Sequence, residues 1–190
     1  MLQKLPEAVG QALQGRRAGI EHVLINSVEM QHGHARLQLS SPAFADGGAM
    51  PARLTADSTG ISPPLRWNSV PTAATSVALI VEDADSPTNE PLVHAIAVDI
   101  DPRLQEMPEG ALNESNRGTP ATLGRNSYLR RAWLPPDPPP GHGLHRYVFQ
   151  LFALLPGDEF SNVPGRRELA TAIRQRAIGS GALVGTYERD

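Results

Sequence analysis

The sequence predicts a mainly β protein with a sandwich-like core and few helices. Eighteen prolines and seventeen glycines, close to one residue in five, suit a turn-rich protein better than a helical bundle. Three apolar runs of strand length occur at residues 76–81, 92–100 and 145–155. One segment, residues 166–178, carries a clear helical stripe. These observations favour buried strands with helices at the periphery.

The first 17 residues form an amphipathic arm, which we separate from a domain of residues 18–190. The apolar residues of the arm recur at helical spacing, although Pro6 and Gly10 weaken the pattern, so we expect a short helix that ends near Gly15. These apolar residues are Leu2, Leu5, Val9, Ala12 and Leu13. Such a stripe needs cover, so we expect it to dock on the body or on a second subunit, which would make a homodimer.

Strands and then a long loop are predicted between the arm and the first apolar run. Apolar residues alternate between Gly19 and Leu39 with the period of a half-buried sheet. They are Val23, Ile25, Ala35, Leu37 and Leu39. Residues 40–75 are rich in Ser, Pro, Gly and Asp, and a loop of this length in a compact domain is usually functional.

The three long apolar runs predict the central strands. The first two read as strands that are covered on both faces, and the third is the longest and most aromatic. After them, the helical stripe at 166–178 predicts a C-terminal helix, with Gly179 placed to cap it. A last short strand at 183–187 would complete a sheet.

Composition excludes several functions. The absence of cysteine removes disulfides, thiol nucleophiles and Cys-ligated zinc. Seventeen basic and 20 acidic residues give a net charge of -3, so there is no broad basic footprint for nucleic acid, and any anion site must be local. No apolar run reaches the roughly 18 residues of a membrane span, and no signal peptide is visible, so we expect a cytoplasmic protein.

Two carboxylates follow the first central strand. Asp83 and Asp85 stand two residues apart where the strand runs into a loop that contains Pro87, so strand alternation can direct both to one side. Taken alone, these residue types favour an ordinary turn, because Asp and Ser bond to nearby backbone groups and proline fixes its own φ.

Histidines stand in the other two central strands. His94 is expected on the face of Ile96 and Val98, where it is either a binding residue or a core histidine with a hydrogen-bond partner. Alternation places His145 and Tyr147 on one face of the last central strand. That face can line a site, or it can be an ordinary aromatic core face.

A stiff loop leads into this last strand. Residues 133–144 contain five prolines, and a helix or central strand is excluded there because proline lacks the backbone donor. The loop suits the rim of a cleft, and it equally suits a polyproline connector or a ligand of another protein. Arg130 and Arg131 either line such a cleft or are solvated. We expect Arg146 to be structural and paired with an acid such as Asp85.

Together these segments resemble the signature motifs of the phosphatidylethanolamine-binding protein family, which includes the Raf kinase inhibitor proteins. The motifs are Asp83-Ala84-Asp85-Ser86-Pro87, then His94, then Gly-His-Gly-Leu-His-Arg-Tyr-Val-Phe at 141–149. Segments 44–47, 62–67 and 185–187 are similar to those of the bacterial branch, so the resemblance covers residues 35–188 and leaves the arm outside. It implies an antiparallel β-sandwich with peripheral helices and a small anion pocket at one end.

The resemblance also implies the residues of the pocket. Its lining would be Asp83, His94, His145 and Tyr147, with Asp85 and Pro87 shaping the adjoining loop. Trp133 stands where the family commonly has tyrosine, and Asp137 stands where a backbone N–H often faces the anion. We expect neutral or cationic imidazoles and the tyrosine hydroxyl to bond an anionic oxygen, while Asp83 orients one imidazole by accepting its other N–H.

We therefore expect a binding protein for phosphate or a phospholipid head group, without a cofactor, a metal or catalytic activity. An alternative from another class is a metal-dependent or acid/base hydrolase that uses the same histidine and aspartate cluster. The resemblance further implies that the surface around the pocket regulates a kinase or another protein partner.

Overall fold

Two β-sheets and peripheral helices make up the protein in the computed structural model, which describes residues 6–113 and 121–189. The helices are α1 (Glu7–Leu13), α2 (Leu24–Ser27) and α3 (Arg166–Arg176), with 3-10 turns at Ile20–His22 and Ala52–Leu54. The strands are β1 (Ala35–Arg36), β2 (Gln38–Ser40), β3 (Gly48–Ala49), β4 (Leu65–Asn68), β5 (Ser76–Asp83), β6 (Leu92–Ile100), β7 (Glu106–Met107), β8 (Thr122–Leu123), β9 (His145–Leu154) and β10 (Ala177–Tyr187). The predicted mainly β fold class is confirmed.

The larger sheet carries the long strands. Its order within the described residues is β1-β10-β9-β5-β6-β8, with β3 also paired to β10, and the smaller sheet has the order β2-β4-β7. The long strands β5, β6, β9 and β10 pair antiparallel, as expected, whereas the short strands β1 and β3 run parallel to β10. The three predicted central strands are therefore neighbours in one sheet.

Burial on both faces explains the continuous apolar runs of these strands. One face of the larger sheet packs on the smaller sheet, so that Leu79 and Phe149 share a core with Trp67. The opposite face is covered by helices α2 and α3, which contribute Leu24 and Leu169 to a second core. No face of β5 meets solvent, so a polar residue on this strand must have a specific partner or role.

The prediction of a strand through Val23 and Ile25 is wrong. Val23 precedes α2, which includes Ile25, and these residues pair with no strand. The backbone N–H of Leu24 donates instead to the buried Glu82 carboxylate at 2.8 Å, and that of Ile25 donates to Gln150 at 2.7 Å. Side chains of the larger sheet thus satisfy the donors that a strand partner would otherwise take.

The predicted cap at Gly179 is also wrong. Helix α3 ends at Arg176, and β10 starts at Ala177, so the last strand is longer than the predicted 183–187. Gly179 lies within β10, where a Cβ atom would come 2.8 Å from the backbone oxygen of Ala35 in β1. A glycine is required at this position because β1 and β10 approach each other closely, and not because a helix ends there. Within the described ranges, no helix is both long and apolar enough to cross a bilayer.

Candidate ligand-binding site

A cavity of about 490 Å³ lies where β5 ends and where β6 and β9 begin. The pairing of Asp83 with Tyr147 across β5 and β9 brings the polar ends of these strands together. Most of the wall is apolar and includes three prolines of the 133–144 loop. The ionisable side chains among its described lining residues are Asp83, His94, Tyr128, Asp137 and His145, with no lysine or arginine.

His94 reaches this cavity because of a β-bulge, and its predicted face was wrong. Val81 of β5 pairs with Ala95, whereas the next residue, Glu82, pairs with Val93, so His94 is an extra residue in β6. The bulge turns His94 away from the face of Ile96, whose side chain packs in the helix-covered core. Uninterrupted alternation would have placed the imidazole in that core.

The tautomer of His94 follows from its hydrogen bonds. Its Nδ1 lies 2.6 Å from the carbonyl oxygen of Leu134, and a carbonyl only accepts, so Nδ1 carries the hydrogen. The Leu134 N–H donates back to the His94 carbonyl at 2.8 Å, which fixes the proline-rich loop to β6. Burial lowers the pKa of His94, despite the opposing charge of Asp83. The neutral ring therefore offers a lone pair at Nε2.

Three buried polar atoms around His94 have no hydrogen-bond partner among the described residues. They are His94 Nε2, the Tyr147 hydroxyl and Trp133 Nε1. The His94 ring lies 5.1 Å from the Tyr147 ring, edge to face, and 6.0 Å from the Trp133 ring. Burial raises the pKa of Tyr147 well above its ordinary value, so its hydroxyl keeps its proton. Unpartnered buried polar groups are costly, and here they cluster behind one cavity.

Asp83 and His145 form a buried pair at the cavity. The Asp83 carboxylate accepts a hydrogen bond from His145 Nδ1 at 2.7 Å, the orientation expected from the sequence. The other nitrogen, His145 Nε2, lies 2.6 Å from Nδ1 of the buried His142. Both nitrogens of His145 are therefore engaged within the protein, and the expected direct bond from His145 to an anionic oxygen is not available in this arrangement.

The structure does not bring Asp85 to the cavity, although the sequence suggested that it shares a side with Asp83. The chain turns after Asp83, whose Oδ1 accepts the Asp85 N–H at 2.9 Å. The Asp85 side chain instead binds Arg146 at 2.7 and 2.8 Å, the pairing that the sequence suggested, and Arg17 at 3.0 Å. Burial acts to raise the pKa of Asp85, but the two guanidinium groups outweigh it and hold that pKa below its ordinary value.

The remaining predicted residues take different places. Pro87 and Asp137 line the cavity, and Asp137 accepts a hydrogen bond at 2.8 Å from Arg189, a guanidinium that it shares with Asp57. Trp133 and Tyr147 lie buried behind the lining. The candidates Arg130 and Arg131 are exposed and lie outside the cavity wall.

His142 is the residue that sequence reasoning did not select. It is fully buried, and it links His145 to the backbone of the N-terminal arm. Gly141 and Gly143, on either side, have φ of 74° and 93°, a region that other residues rarely adopt, and these two glycines turn the loop back beneath His145. The sequence signal that could have identified His142 is its position between two glycines just before β9, the strand that carries His145.

A β-sandwich with a mostly apolar pocket and a few convergent polar atoms is typical of a protein that binds a small ligand. A family profile described as phosphatidylethanolamine-binding protein matches residues 40–188. The chain belongs to this family.

Individual relatives agree with this assignment. The chain is 34% identical over 160 residues to a UPF0098 protein of Pyrococcus horikoshii, an alignment that covers 83% of this chain and 80% of the relative. The crystal structure of a homologue from Chlamydia trachomatis has a TM-score of 0.71 and 33% identity, covering 82% of this chain and 99% of that one. The Escherichia coli protein YbcL, at 23% identity, shares the fold with a TM-score of 0.75 over 81% of this chain and 99% of its own.

Proposed function

We propose that the pocket binds a small phosphomonoester, such as the free head group phosphoethanolamine, whose phosphate retains one proton. The observation that supports this most directly is the pair of unpartnered buried atoms, His94 Nε2 and the Tyr147 hydroxyl. Each such atom costs about 1–3 kcal/mol while it lacks a partner. A ligand that forms hydrogen bonds with both atoms removes this unfavourable free energy, and that removal adds to its affinity.

The hydrogen-bond character of these atoms selects the form of the phosphate. His94 Nε2 accepts, so it requires a donor, whereas the Tyr147 hydroxyl can donate to a negatively charged oxygen. A monoanionic phosphate carries a P–OH group and charged oxygens on one phosphorus atom. A dianion lacks the donor, and it would also face the Asp83 and Asp137 carboxylates.

The carboxylates at the cavity wall favour a ligand that also carries a cation. Asp83 and Asp137 line the pocket, and no described lining residue is a lysine or an arginine. An ammonium group tethered to the phosphate would be attracted by these carboxylates. Phosphoethanolamine combines both groups, so it is the probe that we favour over inorganic phosphate.

Titration calorimetry from about pH 5 to 8 tests the proposal, because a phosphomonoester loses its second proton near pH 6. We expect phosphoethanolamine to bind more tightly than phosphate or ethanolamine alone, with affinity falling as pH rises. His94→Phe should weaken binding by about tenfold or more, the worth of one hydrogen bond to a charged group. His34→Phe, at an exposed histidine, is the matched control. Equal binding by His94→Phe and by wild type would reject the proposal.

In this proposal the pocket binds its ligand without turnover. The support is that Asp83 and His142 engage both nitrogens of His145, while His94 Nε2 accepts the P–OH hydrogen in this binding mode. The competing hydrolase predicts steady release of phosphate from phosphoethanolamine, or stoichiometric zinc or iron in freshly purified protein. The kinase partner, the homodimer and the cytoplasmic location expected from the sequence stay predictions.

A further inference from the structure

A row of hydrogen bonds leads from the pocket to the N-terminal arm. It begins with Asp83 and His145, continues to His142, and ends at two backbone carbonyls. His142 Nε2 lies 2.9 Å from the oxygen of Leu13 and 3.2 Å from that of Arg16. The arm lies outside the region that matches the family profile, so these two acceptors belong to a part of the chain that the profile does not describe.

The acceptors at the end of the row determine how many protons it holds. Because carbonyls only accept, Nε2 of His142 must carry a hydrogen. The links from Asp83 to His145 and from His145 to His142 each require one hydrogen as well. If Asp83 is ionised and both imidazoles are neutral, the row contains two N–H hydrogens, whereas its three hydrogen bonds need three. A complete row therefore contains one added proton, and its three side chains have no net charge.

The surroundings of His142 disfavour a positive charge on its ring. Burial and then the neighbouring His145 lower the pKa of His142. The remaining sites are the Asp83 and His145 pair, which lines the pocket. The charge that the pocket presents to a ligand is therefore linked to acceptors on the arm.

The arm is held against the 140–144 loop by a close contact. Gly10 of α1 is buried there, and a Cβ atom at this position would come 1.9 Å from the Pro140 oxygen. Gln14 donates to the Gly141 oxygen at 2.7 Å, and Arg17 donates to the Leu144 oxygen at 2.8 Å. This part of the arm thus docks on the body of its own chain, but not through the predicted apolar stripe: Val9 and Ala12 are exposed, and Leu2 and Leu5 lie outside the described residues.

We propose that the arm, through His142, sets the protonation and charge of the Asp83 and His145 pair, so that arm docking and ligand binding are coupled. When the arm is displaced, His142 Nε2 meets water, which can donate to it. The remaining links then need only two hydrogens, and the row can lose its added proton. The pocket gains one negative charge, so an anionic ligand binds more weakly. His142 is accordingly a positioning residue that acts through His145.

Other charged groups surround this row and contribute to its titration. From the arm, they are Glu7 and Arg17; from the strand ends and loops, they are Asp85, His94, Arg146, Glu188 and Arg189. Arg17 and Arg146 both pair with Asp85, so these three groups together carry one net positive charge beside the row. Because docking takes up about one proton, it should weaken as pH rises.

Two variants of the full chain distinguish a docked arm from a displaced one: Gly10→Val should displace the arm, and Gly15→Ala should leave it docked. The first places side-chain atoms against the Pro140 backbone, whereas a Cβ at Gly15 meets nothing within 4 Å. Amide hydrogen exchange of α1 reports docking, and nitrogen-15 spectra of the histidine rings report their tautomers and protonation without any ligand. His142→Gln, which keeps one donor and one acceptor, tests for rescue.

In wild type and in Gly15→Ala we expect a hydrogen on His142 Nε2 and an added proton on the Asp83 and His145 pair. In Gly10→Val we expect α1 amides to exchange faster, the ring spectra to show loss of the added proton, and inorganic phosphate, which carries no ammonium group, to bind about tenfold more weakly near neutral pH. His142→Gln should retain more of the affinity than His142→Leu.

Unchanged ring spectra in a Gly10→Val protein whose α1 amides exchange faster would overturn the inference. If the arm stays protected in Gly10→Val, His142→Leu decides, because an added proton that persists on the Asp83 and His145 pair without His142 would overturn it. The coupling to binding rests on the proposed function. If phosphoethanolamine binds neither wild type nor Gly15→Ala, the proposed function fails, while the ring spectra still decide whether the arm sets the proton.

Discussion

Replacement of Tyr147 by phenylalanine should stabilise the ligand-free protein and weaken ligand binding. The hydroxyl is fully buried and has no partner among the described residues. The ring, in contrast, packs against His94 and shares the core with Phe149. Phenylalanine keeps these ring contacts and removes only the unpartnered group.

The two effects have opposite signs and comparable sizes. Loss of an unpartnered buried hydroxyl should raise the free energy of unfolding by about 1–3 kcal/mol. Loss of a hydrogen bond to a charged phosphate should cost about 1.5–3 kcal/mol of binding free energy, or roughly ten- to a hundredfold in affinity. A general packing defect cannot produce this combination, because it would lower both quantities.

Tyr187→Phe provides the matched control. The Tyr187 hydroxyl donates to the Asp57 carboxylate, so the same substitution removes a satisfied bond and should lower stability. Urea denaturation of wild type and both variants, without ligand, measures the first effect, and calorimetry with phosphoethanolamine measures the second. If Tyr147→Phe loses stability as Tyr187→Phe does, or binds ligand as tightly as wild type, the reasoning about the pocket is refuted.

Two further predictions concern the buried charges of the larger sheet. Glu82→Ala leaves Arg166 without the partner that it contacts at 2.6 Å, so the free energy of unfolding measured by urea denaturation should fall by about 3–5 kcal/mol. Glu106→Ala, at an exposed glutamate, should change it by less than about 0.5 kcal/mol, and similar losses in the two variants would contradict the prediction. Asp85→Asn should be less stable than wild type by about 1–3 kcal/mol near neutral pH, because the native pKa of Asp85 is lowered. That contribution is present above the unfolded-state pKa and is lost as pH falls through the native pKa, so thermal midpoints of the two proteins should converge in acid, and divergence there would contradict the assignment.

The strands of the larger sheet were predictable because burial on both faces leaves an uninterrupted apolar run. The predicted 92–100 matches β6 at both ends, and the predicted strand at 76–81 lies within β5. Helix α2 was not predictable in this way. It is fixed by the carboxylate of Glu82, 58 residues away from Leu24 in sequence, and local periodicity carries no information about such a partner.

The site was predictable in its residue types but less so in its geometry. The family resemblance selected Asp83, His94, His145 and Tyr147, and the structure brings all four to one end of the larger sheet. Alternation along a regular strand failed at His94, because a single extra residue in β6 reverses which face a side chain occupies. The wrong face was therefore predicted at the β-bulge, where β6 departs from regular pairing and His94 lines the pocket.

His142 shows why residue patterns alone miss part of a site. Its partners on the arm are the carbonyl oxygens of Leu13 and Arg16, and every residue has such an oxygen, so the sequence marks neither as special. What the sequence does contain is the backbone geometry that brings them close, in Gly10 at the contact and in the two glycines beside His142. In the sequence, Gly10 weakens the predicted helix, whereas in the structure the absence of a side chain at Gly10 allows the arm to contact the loop. Gly10 therefore destabilises the helix in isolation but permits it to dock on the body of the protein. Under our proposal, the protonation of the pocket depends on whether the arm is docked.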